Sequence, residues 1–492
     1  MVELSRSIDV DPLDRVGQVS GLASLALRFT LLGLLVLAIV VAAAHRRPWT
    51  AFPSVSRLAC AAVAGLATGM TAGGLVVALR GTSWPLYADH GDSGRLAEWA
   101  GSLLAGGNVP AFYPPAALYM IAWLAELTGS TPAHALKMLQ VLGTALFGPV
   151  AYLSWRLLLP PPWALCIGLV GALPLIDPYK PYVTVVLVAL LPVVIRFLQV
   201  LRGVSGTSWS RIALYGMGFG SVTGFFLLSY SGWFVWSALG VVVATLLVFP
   251  WRTGVLRGLG LLGATGAVFA AIAGPHLVAL LGASGTEKDR YFSFDTFVEP
   301  AYIAMWRSDL PGEPGPWPPP GELAGVGLFT VLLVVGAGIA VALGRRHTAV
   351  LALCCCMASA WLLRFWFASQ MYETQTVQLY PRTTQQILYC LLLLSGFGVY
   401  LTVQRFDLAW NRQLLAGSAP TIGVLCAMLL FALSAGSSVP DRYMPRADNS
   451  AGQLAYVSQM VRQEDGRCPA YSRPDLCAED VGQLNEQRRE DR

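Results

Sequence analysis

The sequence predicts an all-α polytopic membrane protein, a bundle of about twelve transmembrane helices with a further helix at the outer surface in the first large external loop. Three observations carry this. Of 492 residues, 55% are hydrophobic and only 12% charged, where a soluble globular protein carries roughly 25% charged residues. The apolar residues gather into stretches of about 20, the length that crosses a bilayer as a helix. Lys and Arg concentrate in alternate short loops, the asymmetry that marks cytosolic ends. An ordinary soluble enzyme is excluded.

Residues 1–20 form an expected external N-terminal tail with no basic region and no small-residue cleavage site, so no removable signal peptide is read. The first span runs from about Gly21 to Ala44 and ends on His45, Arg46 and Arg47, with Arg57 following. Further spans fall near 58–79, 134–155, 162–176, 181–201, 212–228, 232–250, 258–281, 321–343, 349–367, 385–403 and 416–436, and one more apolar stretch covers 112–128. Arg156, then Arg196, Arg202 and Arg211, Arg252 and Arg257, Arg345 and Arg346, and Arg405 and Arg412 mark the other cytosolic turns. Both termini then lie outside, with the loops at 80–133, 177–180, 229–231, 282–320 and 368–384. This parity makes 112–128 a surface helix rather than a crossing; the competing reading makes 162–176 the piece that does not cross. Residues 21–439 form the membrane domain and 440–492 a short external tail.

Charge sorting explains the net charge of +5. The cytosolic turns hold 13 of the 33 basic residues and, of the 28 acids, only Asp407, so the excess is a topology signal and no nucleic-acid footprint. Seven of the nine cysteines sit in apolar spans, where they serve as small packing residues, and the run Cys354-Cys355-Cys356 lacks metal-ligand neighbours. Cys468 and Cys477 lie in the tail expected outside, where a structural disulfide persists.

Soluble-enzyme signatures fail on context. Gly258-x-Gly260-x-x-Gly263 has the letters of a dinucleotide fingerprint but opens an apolar span, where close helix packing is its use; the same holds for Gly216 and Gly220. There is no Walker A sequence, nucleophile elbow or zinc spacing, and ATP-driven transport loses support.

Chemistry-bearing residues collect in the external loops. The first loop places Asp89 and Asp92 three residues apart, beside His90, and a carboxylate there suits a general base toward a hydroxyl, though a solvated loop has the same composition. The turn Asp177-Pro178-Tyr179-Lys180-Pro181-Tyr182 offers Lys180, suited to a lipid phosphate and equally to interfacial anchoring. A long loop carries Lys288, Asp289, Arg290, Tyr291, Asp295, Trp306 and Arg307 and then a Pro-rich run, and loops of this length often cover a site. Arg382 precedes a span among hydroxyl residues. Arg364 lies inside the preceding span, where a charge is costly unless paired or snorkelling. An acid with several cations at one lipid-facing surface suits transfer of a sugar from a lipid-linked phosphate to an acceptor hydroxyl.

On these residues the chain resembles the GT-C class of membrane glycosyltransferases. The class pattern falls on Asp92 with Asp89, on Tyr113-Pro114-Pro115, on Ser154-Trp155-Arg156 and on Asp177 to Tyr182. Within it the chain is most similar to the actinobacterial galactan arabinofuranosyltransferase family, through Gly91-Asp92, Phe112-Tyr113-Pro114-Pro115, Tyr230-Ser231-Gly232-Trp233 and Leu379-Tyr380-Pro381-Arg382-Thr383, spread over roughly residues 20–440. The resemblance implies a decaprenyl-phospho-arabinofuranose donor, inverting transfer to a cell-wall glycan such as galactan, and Asp92, or secondarily Asp89, as base. Lys180 and Arg382 are expected at the donor phosphate, with Tyr113, Tyr179, Tyr230 and Arg364 around the donor and Lys288, Arg290 and Trp306 toward the acceptor. No cofactor is expected to be required; a divalent metal at Asp89 and Asp92 stays open, though two carboxylates are too few to argue for one. Family members carry a sizeable soluble domain after the last span, where this chain has its 440–492 tail. The rivals are a polyprenyl-phosphomannose-dependent mannosyltransferase and a glycolipid transporter or flippase. The expected location is the plasma membrane, with the active site on the extracytoplasmic face.

Overall fold

The computed structural model describes residues 1–45, 52–283, 328–377, 380–410, 418–448 and 450–490. Among them the secondary structure is helical apart from one isolated bridge between Val461 and Ala478. Nine helices among the described residues are long and apolar enough to cross a membrane, which makes the chain a multi-pass α-helical membrane protein.

The helices follow the apolar periods closely. They are α1 (Arg15–His45), α2 (Phe52–Ala78), α3 (Gly91–Leu104), α4 (Pro115–Thr128), α5 (Pro132–Trp155), α6 (Pro161–Ala172), α7 (Pro181–Arg202), α8 (Trp209–Ser229), α9 (Gly232–Val248), α10 (Val255–Ala283), α11 (Leu328–Gly344), α12 (Thr348–Thr374), α13 (Thr383–Trp410) and α14 (Ser418–Tyr443), followed by α15 (Gly452–Met460) and α16 (Val481–Glu490) in the tail. Several begin or end beyond the apolar limits, because polar turns such as Arg15–Ser20 continue the helix past its hydrocarbon part. Proline opens α4, α5, α6 and α7 at their first turn, where its missing N–H is no loss.

Close packing uses the small residues. A Cβ added at Gly216 would lie 2.4 Å from Ala264, and one at Gly220 would lie 2.7 Å from the Thr265 carbonyl oxygen, so α8 and α10 meet backbone to backbone. Gly258, Gly260 and Gly263 all lie within α10, and Gly260 makes room for Trp209. The dinucleotide reading therefore has no strand to stand on.

One end of the bundle collects the polar segments. The 79–90 loop meets the N-terminal segment where Arg80 pairs with Asp9 at 2.9 Å, and meets the C-terminal tail where the Ala470 amide donates to Gly81. The opposite end contains Arg57, whose carbonyl accepts from Tyr152 at 3.2 Å. Helix α5 therefore runs the length of the bundle, since Lys137 near its start donates to the Leu79 carbonyl at 2.9 Å. Helix α4 begins beside Tyr113, which bonds Tyr182 at the start of α7, and ends at Gly129 just before α5 begins. The N-terminal segment does not simply extend outward: Met1 packs at Gly69, and Leu4 gives its carbonyl to Arg28, the one cation in the α1 apolar span.

Candidate active site

The site is built from three polar segments on a rigid helical frame. The first is the start of α3. Gly91 has φ +58°, which an L side chain rarely adopts, and a Cβ at Gly94 would sit 1.8 Å from the Asp89 carbonyl oxygen. Both glycines of Gly91-Asp92-Ser93-Gly94 are thus needed to turn the chain sharply into the helix. Residue His90 gives the helix no side-chain cap. The cap comes instead from another segment: the Tyr179 hydroxyl oxygen accepts the Asp92 amide at 3.0 Å and the Ser93 amide at 3.3 Å.

The second segment is the 177–180 turn. Asp177 Oδ1 accepts the Tyr179 amide at 3.0 Å, closing an Asx turn between Pro178 and the helix-opening Pro181. Fully buried Gln140 on α5 joins this turn to the first loop, accepting from the Leu86 amide at 2.9 Å and donating to the Tyr179 carbonyl at 3.1 Å. Held in this way, Lys180 Nζ forms an ion pair with Asp92 Oδ2. The Lys180 side chain is 16% exposed and that of Asp92 29%, so the pair is shielded more than a surface bridge. Lys180 also lies 5.7 Å from the Tyr179 ring centre.

The third segment is the start of α13. Arg364, fully buried within α12, donates to Thr384 at 2.8 Å and to Thr383 at 3.2 Å, and its guanidinium carbon lies 5.3 Å from the Tyr380 ring centre. It anchors the turn that carries Arg382 rather than snorkelling to an interface. Arg382 donates to the Tyr230 hydroxyl at 3.3 Å. Three residues on, Trp233 donates to the Val183 carbonyl at 2.8 Å and fastens α9 to the start of α7.

Between these segments the Tyr113 and Tyr182 hydroxyls lie 2.5 Å apart, and Asp92 and Tyr230 are near enough to Tyr182 to interact electrostatically with it. Asp177 likewise feels the charges of Lys180 and Arg382. Close burial raises the Asp177 carboxyl pKa, while the Tyr179 amide and the two cations draw it down. Asp177 keeps some accessible surface even so. Burial first, and the Asp92 charge second, push Tyr179 up to about 12, so its phenol stays neutral.

The structure thus brings together Asp92, Lys180, Tyr179, Tyr113, Tyr230 and Arg382, with Arg364 behind them. Asp89 does not join this group: it is exposed and lines a shallow cavity of about 510 Å3 with His90, Arg95 and Glu98. Lys288, Arg290 and Trp306 lie outside the described residues. Sequence reasoning did not single out Gln140 or Tyr182 as functional, and Asp177 entered only as part of a turn. Uncharged side chains such as Gln140 and Tyr182 carry no signal until a tertiary partner is known. Cys468 and Cys477 are joined as a disulfide in the tail. Among the described residues, no group of three or more His, Cys, Asp and Glu converges as metal ligands.

Compared with known proteins, the chain matches no protein-family model and none of the curated proteins.

Proposed function

We propose that this protein is a GT-C-type glycosyltransferase that moves a sugar, arabinofuranose, from a polyprenyl phosphate to a hydroxyl of an extracytoplasmic cell-wall glycan. The observation that supports this reading best is the shielded Asp92–Lys180 pair at the polar end of an apolar bundle, with Arg382 in the same electrostatic neighbourhood. A carboxylate and two cations beside lipid match the needs of the reaction. Asp92 takes the acceptor hydroxyl proton as that oxygen bonds to the anomeric carbon. The bond from that carbon to the phosphate oxygen breaks with inversion, its electron pair leaves with the phosphate, and Lys180 and Arg382 meet the charge.

The Asp92–Lys180 ion pair fits this sequence: a lipid phosphate competes for Lys180 and leaves the Asp92 carboxylate open to the acceptor. Galactan is the acceptor that the resemblance favours. Mannose as the sugar is the second reading, and the outer Tyr113–Tyr182 and Tyr230–Arg382 contacts serve either.

The proposed topology has about twelve crossings. Residues 161–175, 232–248 and 331–344 join the nine long helices as shorter crossings, and 115–128 lies along the outer face of the plasma membrane. Cysteine labelling tests the sides: in intact cells Ser130→Cys should be labelled and Pro160→Cys protected, and the reverse pattern would place the site in the cytosol. The activity is tested in membranes supplied with decaprenyl-phospho-arabinofuranose or polyprenyl-phosphomannose. Transfer from the first is expected, with Lys180→Ala and Arg382→Ala each weakening donor use. Unchanged donor dependence in both variants would remove the phosphate site from these residues.

A further inference from the structure

The 79–90 loop has little regular structure, so each buried backbone N–H and C=O in it needs a partner from elsewhere. Many of those partners come from a segment more than 350 residues away. Gln459 Nε2 donates to the Ala78 carbonyl at 2.9 Å and to the Arg80 carbonyl at 2.8 Å. Gln463 Oε1 accepts the Ser83 amide at 2.6 Å, and the Arg462 carbonyl accepts from the Trp84 indole at 2.9 Å. The Leu454 carbonyl accepts the Tyr87 amide at 2.8 Å. Ser458, fully buried, makes the densest contact: its Oγ donates to the Pro85 carbonyl at 2.5 Å and accepts the Ala88 amide at 3.1 Å.

These contacts fall where the loop is under strain. Tyr87 and Ala88 have φ of 74° and 49°, in the left-handed region that side-chain-bearing residues avoid, and such residues persist only when their surroundings over-determine them. The strain has a use in the site. It aims the Tyr87 ring edge-on at Tyr179, with centroids 6.5 Å apart, and the Tyr179 hydroxyl caps the two amides that begin the helix of Asp92. The chain of contact runs from Ser458 through Pro85–Ala88 and Tyr87 to Tyr179 and then Asp92.

We propose that the C-terminal segment 452–463 is a brace that sets the position of Asp92, with Ser458 as its positioning residue. It touches no substrate and acts only through the loop. The tail, read from the sequence as a short external segment, then supports the loop that leads into the helix of Asp92. The proposal rests on the glycosyltransferase reading only for the consequence in rate; the mechanical claim stands apart from it.

Ser458→Ala removes both loop bonds at the densest point, and Gln463→Ala removes one at a half-exposed position that leaves the tail core intact. In the full-length protein in detergent, hydrogen exchange at the Tyr87, Ala88, Asp92 and Ser93 amides should quicken at least about tenfold in Ser458→Ala, the factor that loss of even one of the two buried hydrogen bonds converts to. Gln463→Ala should show a smaller rise confined to the loop side. In the transfer assay, kcat should fall about tenfold in Ser458→Ala while the donor KM changes less than twofold, a split that general loosening of the bundle would not give. Unchanged exchange at these four amides in both variants overturns the brace. Faster exchange with an unchanged kcat overturns the positioning role. If the wild type transfers no sugar, the functional reading fails by itself, and exchange at Asp92 and Ser93 still decides whether the tail holds that helix start.

Discussion

Replacing Tyr179 with Phe removes one oxygen and keeps the ring, so the edge contact with Tyr87 and the face toward Lys180 survive. What is lost is the acceptor for the Asp92 and Ser93 amides at 3.0 and 3.3 Å. His90 supplies no side-chain cap, so nothing adjacent in sequence replaces it. Loss of a side-chain cap costs about 0.5–2 kcal/mol, and here the two amides are partly buried, which favours about 1–2 kcal/mol. That corresponds to a roughly 5- to 30-fold rise in local opening. Hydrogen exchange followed amide by amide should therefore quicken at Asp92 and Ser93 and remain unchanged in the middle of α5 and α7. The proposed sugar transfer should fall in step, because the Asp92 carboxylate is carried on that first turn. Exchange that is unchanged at both amides, or that quickens evenly along the chain, would refute the idea that Tyr179 caps this helix.

Further outcomes follow from the same geometry. Gly94→Ala forces a Cβ to within 1.8 Å of a backbone oxygen, so the Asp89–Asp92 turn must shift. A loss of about 1–3 kcal/mol in thermal or denaturant stability is expected, the usual scale of an overpacked site, and a variant as stable as wild type would contradict the turn. Asp177→Asn tests pH dependence. The folded carboxyl holds its proton more tightly than the unfolded one, so its contribution to stability is full below the ordinary Asp range near pH ~3.9 and is lost as pH rises through the raised folded value. The melting temperature of Asp177→Asn relative to wild type should accordingly climb from pH 4 to pH 7, and a falling difference would show that the cations outweigh burial. Arg364→Met should cost about 2–4 kcal/mol of stability and weaken donor use, since the hydroxyls of Thr383 and Thr384 lose a buried charged donor. Thermal unfolding and donor titration check both parts, and an unaffected donor KM would detach Arg364 from the Arg382 turn.

The fold was legible because a bilayer imposes length and polarity on every span, and α5, α7 and α8 begin within three residues of the apolar limits. Asp92, Lys180 and Arg382 were legible for a related reason: in a chain so poor in charge, a charge at a span end stands out. Asp89 stood out equally, yet it lies in the turn ahead of the α3 N-cap, exposed beside His90, Arg95 and Glu98 and apart from the Lys180 pair. Gln140 and Ser458 were illegible because an uncharged side chain in an apolar helix or a polar tail has no signature of its own; only the loops they join give them a role. Tyr182 was hidden within a turn rich in aromatics suited to an interface, and only its 2.5 Å contact with Tyr113 distinguishes it. The N-terminal segment differs from a free tail because Arg28, inside a span, needs an acceptor, and the Leu4 carbonyl provides one.

The proposed function turns on Asp92 as the base that takes the acceptor proton. Asp92→Asn keeps the size and the hydrogen-bonding edge of the side chain while removing its basicity. Transfer of arabinofuranose from decaprenyl-phospho-arabinofuranose in membranes should drop by at least about 100-fold, the lower range for loss of a general base, while the folded variant still binds the donor. Full transfer activity in a folded, membrane-inserted Asp92→Asn protein would contradict it.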